Sequence, residues 1–148
     1  MPVVDFYILA TDIEQDCLLY CCNFVAVKFA EARRVYIHTP NRATAEAIDE
    51  LLWTFRDESF IPHTLADEGL RPVPPVQIGH GAIEHVAHDT LVNLADDIPS
   101  SFMRYRHLVQ LIPNNEAKIV SARNMYRYYR EQGCALHFHD LRKAATTA

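Results

Sequence analysis

The sequence predicts a single α/β domain, an open sheet with helices flanking it. Three observations carry this. The apolar residues change period repeatedly over the first 55 positions, giving strand, helix, strand, helix. Further strand-like runs and one long amphipathic stretch extend the series to residue 139. A chain of 148 residues, 49 % of them hydrophobic, is also long enough to bury one real core.

The elements follow in order. "DFYIL" (5–9) is a short run of aromatic and branched residues, a strand. Residues 14–32 place Leu18, Cys21, Cys22, Val25, Phe29 and Ala32 at spacings of three and four, a helix. "RVYIHT" (34–39) is the second strand. Pro40 and Asn41 then open a helix with Ala47, Ile48, Leu51, Leu52 and Phe55 on one face. Residues 56–75 hold Pro62, Gly69, Pro72, Pro74 and Pro75 and read as a long loop, a length usually tied to function. "VQIG" (76–79), "TLVNLA" (90–95) and "HLVQLI" (107–112) are strands. A helix follows Pro113 and Asn114 and runs to Gly133, which stands where a C-terminal glycine belongs. "CALHFH" (134–139) is the last strand, and residues 141–148 are expected to be a mobile tail.

Composition narrows the function classes. No apolar stretch approaches the ~20 residues of a membrane span, and no basic segment precedes "VVDFYIL" as in a signal peptide. The expected compartment is the cytoplasm, with no membrane partner. Four cysteines (Cys17, Cys21, Cys22 and Cys134) suit reduced, buried side chains there. The net charge of −5 is unevenly spread. Residues 1–70 carry five basic and twelve acidic residues, whereas residues 98–148 carry eight basic and three acidic, a net of +5. The overall acidity argues against a duplex-DNA binder, because duplex affinity comes largely from neutralising phosphates. The basic C-terminal part can still present a local anion site.

An α/β sheet invites a search for nucleotide-binding glycines. There are four, Gly69, Gly79, Gly81 and Gly133, and the turn after the first strand, "ATDIEQDC", has none. Neither a dinucleotide fingerprint nor a P-loop is present, so no cofactor is expected. His80, His85 and His88 cluster in "HGAIEHVAH", and His137 and His139 share one face of the last strand. A metal-assisted hydrolase built on His137, His139 and a carboxylate is one reading, but no spacing fixes a third ligand. Ser59, Ser100, Ser101 and Ser121 lack a nucleophile-elbow context. The residues ask for no enzyme.

Two surfaces draw attention instead. Trp53 falls roughly 140° from Ile48 around its helix, on the polar side. On the late helix, Ala122, Met125, Tyr126 and Tyr129 form a core stripe. Arg123, Arg127 and Arg130 adjoin it, so guanidinium groups flank Tyr126 and Ile119. Arginine forks onto carboxylates, which suits an acidic partner carrying an aromatic anchor. A direct single-strand binder, stacking bases on Trp53 and contacting phosphates through the arginines, is a third class.

The residues also resemble a known family. "FYIL" (6–9), "RVYI" (34–37), "IDELLW" (48–53) with "ESFIPHTLADEG" (58–69), and "IPNNEAKIVSARNMYRYYREQG" (112–133) resemble the chi subunit of bacterial DNA polymerase III. Residues 76–106 are only loosely similar. The resemblance implies a Rossmann-like fold without a nucleotide site and the role of an adaptor in DNA replication. It implies two partners, the psi subunit of the clamp loader and the acidic C-terminal tail of single-stranded DNA-binding protein, which ends in Pro-Phe. DNA would then be engaged only indirectly. The family's tail-binding tryptophan matches Trp53 and its late-helix arginine matches Arg123. The phenylalanine implicated in psi and helicase binding matches Phe60, which brings in its neighbours Ile61 and Pro62. One departure stands out: the family lysine one turn before the arginine aligns to Ile119. The nearest basic residue, Lys118, is rotated about 100° from that position; Lys118, Arg127 and Arg130 are the candidates for the second charge, and Ile119 and Tyr126 for the apolar contact.

Overall fold

The computed structural model describes residues 2–56, 60–66, 73–81 and 88–142. Seven strands form one open, all-parallel sheet: β1 (Val3–Ile8), β2 (Val35–Thr39), β3 (His63–Leu65), β4 (Val76–His80), β5 (Thr90–Asn93), β6 (His107–Ile112) and β7 (Ala135–Asp140). Three helices flank it: α1 (Glu14–Ala30), α2 (Arg42–Thr54) and α3 (Glu116–Glu131). The strand order is β3-β4-β2-β5-β6-β1-β7.

That order decides which helix covers which face. From β1 to β2, and again from β2 to β3, the chain crosses the sheet in one direction. From β6 to β7 it crosses in the other. Parallel crossovers are right-handed, so α1 and α2 lie on one face and α3 on the opposite one. The core divides accordingly. Ile37, Val92, Val109 and Leu111 pack with Leu18, Cys21, Val25, Ile48 and Leu52 from α1 and α2. Val4, Phe6, Leu91 and Leu108 pack with Ala122, Met125 and Tyr129 from α3. Both faces are covered, which is why β2 is buried at all five positions and shows no alternation.

Local chemistry sets the helix ends. The Asn41 carboxamide oxygen accepts the Thr44 N–H at 2.8 Å and caps α2. Asn115 caps α3 in the same way through Lys118 N–H at 3.2 Å. At the far end of α3, Gly133 adopts φ 85°. Its N–H donates to Arg130 O, and Cys134 N–H donates to Tyr129 O, a Schellman turn that places β7 directly after the helix. α1 ends at Ala30 rather than residue 32, because Ala32 turns into the left-handed region at φ 62°.

Two expectations are corrected. The range 56–75, read as one loop, contains β3, whose three residues are all buried and pair with β4. A strand this short, next to Pro62, shows no period to detect. The strand expected over 90–95 ends at Asn93, whose side chain accepts Ala95 N–H at 2.9 Å and turns the chain. The expected mobile tail falls largely on 143–148, outside the described residues. No helix among the described residues is long and apolar enough to cross a membrane.

A buried polar row runs beneath α3. His38, Asn93 and Gln110 are register neighbours on β2, β5 and β6 and are at most 2 % exposed. Asn93 Nδ2 donates to Gln110 Oε1 and to Asp97 O, both at 2.8 Å, and the Tyr129 hydroxyl donates to the same Gln110 oxygen at 3.1 Å. The row thus ties β5, β6 and the turn at 95–97 to α3.

Candidate protein-docking surfaces

At the carboxyl ends of the strands, where α/β sheets usually hold ligands, a pocket of about 250 Å³ lies beside the start of α1. Asp12, Glu14 and Lys118 stand at it, and no glycine lines it where a phosphate site would present glycine amides. The functional interest lies on the two outer faces.

On the α2 face, the helix ends at Thr54 and Trp53 projects from its last turn with 51 % of its surface exposed. Phe60, across the turn, is 68 % exposed, and the two rings lie 5.7 Å apart. Beneath them His63 is buried, its ring 4.4 Å from the Trp53 ring. His63 Nδ1 lies 2.6 Å from Ile61 O, and Nε2 lies 2.9 Å from Asp49 O. These contacts hold the imidazole against α2 and give Trp53 a fixed floor. Ile61 turns inward and joins the core, and Pro62 is half-buried. Trp53 and Phe60 therefore form one exposed aromatic patch, anchored by Ile61 from below. Asp57 and Glu58, its sequence neighbours, lie outside the described residues.

On the α3 face, Ala122, Met125 and Tyr129 point into the core, while Ile119 and Tyr126 are half-buried along one flank. The Tyr126 ring lies 5.4 Å from that of Phe6. Arg123, Arg127 and Arg130 are exposed, and none of their guanidinium groups forms an ion pair or hydrogen bond among the described residues. Phe138 of β7 aligns with Phe6 and so shares this face, yet it is 54 % exposed. Nothing in the sequence around Phe138 marks it as exposed, because only its place on the edge strand leaves it open. Lys118 is directed elsewhere: its Nζ meets Asp96 Oδ2 at 2.9 Å.

Several of the histidines are engaged in the fold. Asp5 accepts from His107 at 2.5 Å and His139 at 2.8 Å, and His139 stacks on Tyr7. Burial raises the Asp5 pKa, but the hydrogen bonds from the two histidines outweigh it and hold the carboxyl below its ordinary value. His88 is buried with Nε2 3.3 Å from Pro74 O, and His85 lies outside the described residues. No group of three His, Cys, Asp or Glu among the described residues is placed to share a metal ion. The four thiols are buried, and burial raises each pKa, that of Cys22 to about 12.

The sequence model of one family, described as DNA polymerase III chi subunit, HolC, matches residues 1–137. The chain belongs to the DNA polymerase III chi subunit family. Among curated relatives, DNA polymerase III subunit chi of Pseudomonas aeruginosa is 33 % identical over 141 residues, covering 95 % of this chain and 98 % of the relative. The proteins of the same name from Haemophilus influenzae and Escherichia coli are each 30 % identical, covering 86 % and 93 % of this chain and 90 % and 97 % of those relatives. Within this chi-family fold, the residues grouped by resemblance do not all come together. Trp53 sits beside Phe60 on the α2 face, whereas Arg123, Ile119, Tyr126, Arg127 and Arg130 lie on the α3 face across the sheet.

Proposed function

We propose that this chi-family chain is a non-catalytic adaptor of the replicative polymerase, with two separate docking faces. The Trp53–Phe60 patch receives the psi subunit of the clamp loader. The seam between α3 and β7 receives the acidic C-terminal tail of single-stranded DNA-binding protein. The observation that carries this is the placement of two exposed aromatic surfaces on opposite sides of one sheet, with Arg123, Arg127 and Arg130 exposed on the α3 side.

Each surface suits its partner chemically. The Trp53–Phe60 patch offers two exposed rings over a fixed imidazole, a typical anchor for an apolar partner segment. The α3 seam offers Ile119, Tyr126 and Phe138 to a terminal phenylalanine and three arginines to carboxylates. Trp53, matched by resemblance to a tail-binding residue, is read instead as part of the psi site; its contact with Phe60 and its distance across the sheet from Arg123 support this reading.

The test is a crossed pair of substitutions measured against both partners. Phe60→Ala should lose psi and keep the tail peptide, and Arg123→Ala should do the reverse. Loss of both partners from either single variant, with folding intact, overturns the two-face arrangement.

A further inference from the structure

The arginine-bordered face ends at an open strand. β7 closes the sheet and, among the described residues, pairs with β1 alone, over six consecutive positions without a bulge. One row of its backbone N–H and C=O groups therefore points away from the sheet. Edge strands are commonly blunted by proline, lysine or a bulge, and "ALHFHD" has none of these. Leu136 and Phe138 face α3, and His137 and His139 face the other way. Phe138 is 54 % exposed on the α3 face, and Arg123 and Arg130 are exposed on the flank of α3 that carries Ile119 and Tyr126.

The geometry points to strand addition: the acidic tail lies along β7 as an eighth strand. Its main chain bonds to the free row of β7, and alternate side chains rest on Leu136 and Phe138 beneath the arginines. This rests on the tail-binding reading of the α3 seam and adds how the tail is held. Charge selects the occupant, because three arginines without an acidic partner among the described residues border the slot. The lengths agree as well. Arg123 and Arg130 stand about 10 Å apart along the helix, the rise of roughly three strand residues, so a short extended segment passes both. Recognition through main-chain bonds with alternate side chains in pockets is a known mode for extended peptides.

The test uses the full-length chain and a synthetic peptide of the cognate tail, N-methylated at one non-proline position at a time. Strand addition predicts a loss of about tenfold or more at alternate positions and little loss between them. Amide exchange followed by NMR should slow at alternate β7 residues when the peptide is bound. If the unmodified peptide binds but the methyl scan shows no period of two and β7 exchange is unchanged, strand addition is wrong and the tail-binding reading stands. Failure of the unmodified peptide to bind removes both. Slowed β7 exchange that grows with protein concentration and needs no peptide assigns the edge to a second copy of this chain, and overturns the proposal.

Discussion

Phe60→Ala separates the two faces most cleanly, because Phe60 contributes almost nothing to the core. It is 68 % exposed, and its ring contact is with Trp53, itself 51 % exposed. A phenylalanine has on the order of 200 Å² to bury, so roughly 140 Å² of Phe60 awaits a partner. At about 25 cal/mol per Å² this corresponds to ~3 kcal/mol, or about two orders of magnitude in affinity. Isothermal titration of the purified variant with psi should show that loss. The melting temperature should stay within a degree or two of the parent, since a surface truncation away from the core costs little. The tail peptide should bind unchanged, because the α3 seam lies on the other side of the sheet. Psi affinity within twofold of the parent would refute the reasoning, since the most exposed large apolar side chain described would then be idle.

Other expectations are equally concrete. Arg123→Ala should weaken the tail peptide about tenfold or more, as expected for a charge-assisted hydrogen bond of ~1.5–3 kcal/mol. Amidating the peptide's C-terminus should hurt the parent strongly and the variant little, and equal effects on both would reassign the carboxylate to Arg127 or Arg130. Burial lowers the His38 pKa, with Asp97 opposing and His80 reinforcing the shift. The unfolded chain then binds the proton more readily, so His38's contribution to stability is complete above pH ~6.5 and is lost as pH falls through the lowered folded pKa. Urea titrations of the parent and His38→Asn should diverge in that window, with the variant less sensitive to pH. Cys21 and Cys22, fully buried with raised pKa values, should resist iodoacetamide until the chain unfolds.

Most of the fold was legible because period is a local property. β6 and its neighbours were visible as apolar runs, and Trp53 was placed on the polar side of α2 by angle alone. β3 was not, since three buried residues beside a proline carry no alternation. How the site residues are distributed over the two faces was not legible, for a different reason. Trp53 and Arg123 are separated by the direction in which the chain crosses the sheet, and strand order leaves no trace in periodicity. Phe138 was hidden for the same reason, because its alternation gives its face but not its position on the edge strand. Lys118 was the opposite case. Its offset by one residue from Ile119 is visible in the sequence, but its pairing with Asp96 is a contact between distant positions that only the fold supplies.

The central claim is that the two faces act independently, and one titration addresses it directly. The affinity of the tail peptide should be measured with the chain alone and again with the chain saturated by psi. Docking on opposite faces of one sheet predicts dissociation constants that agree within about twofold and a ternary complex at saturation. Displacement of the peptide by psi, or of psi by the peptide, would contradict the account.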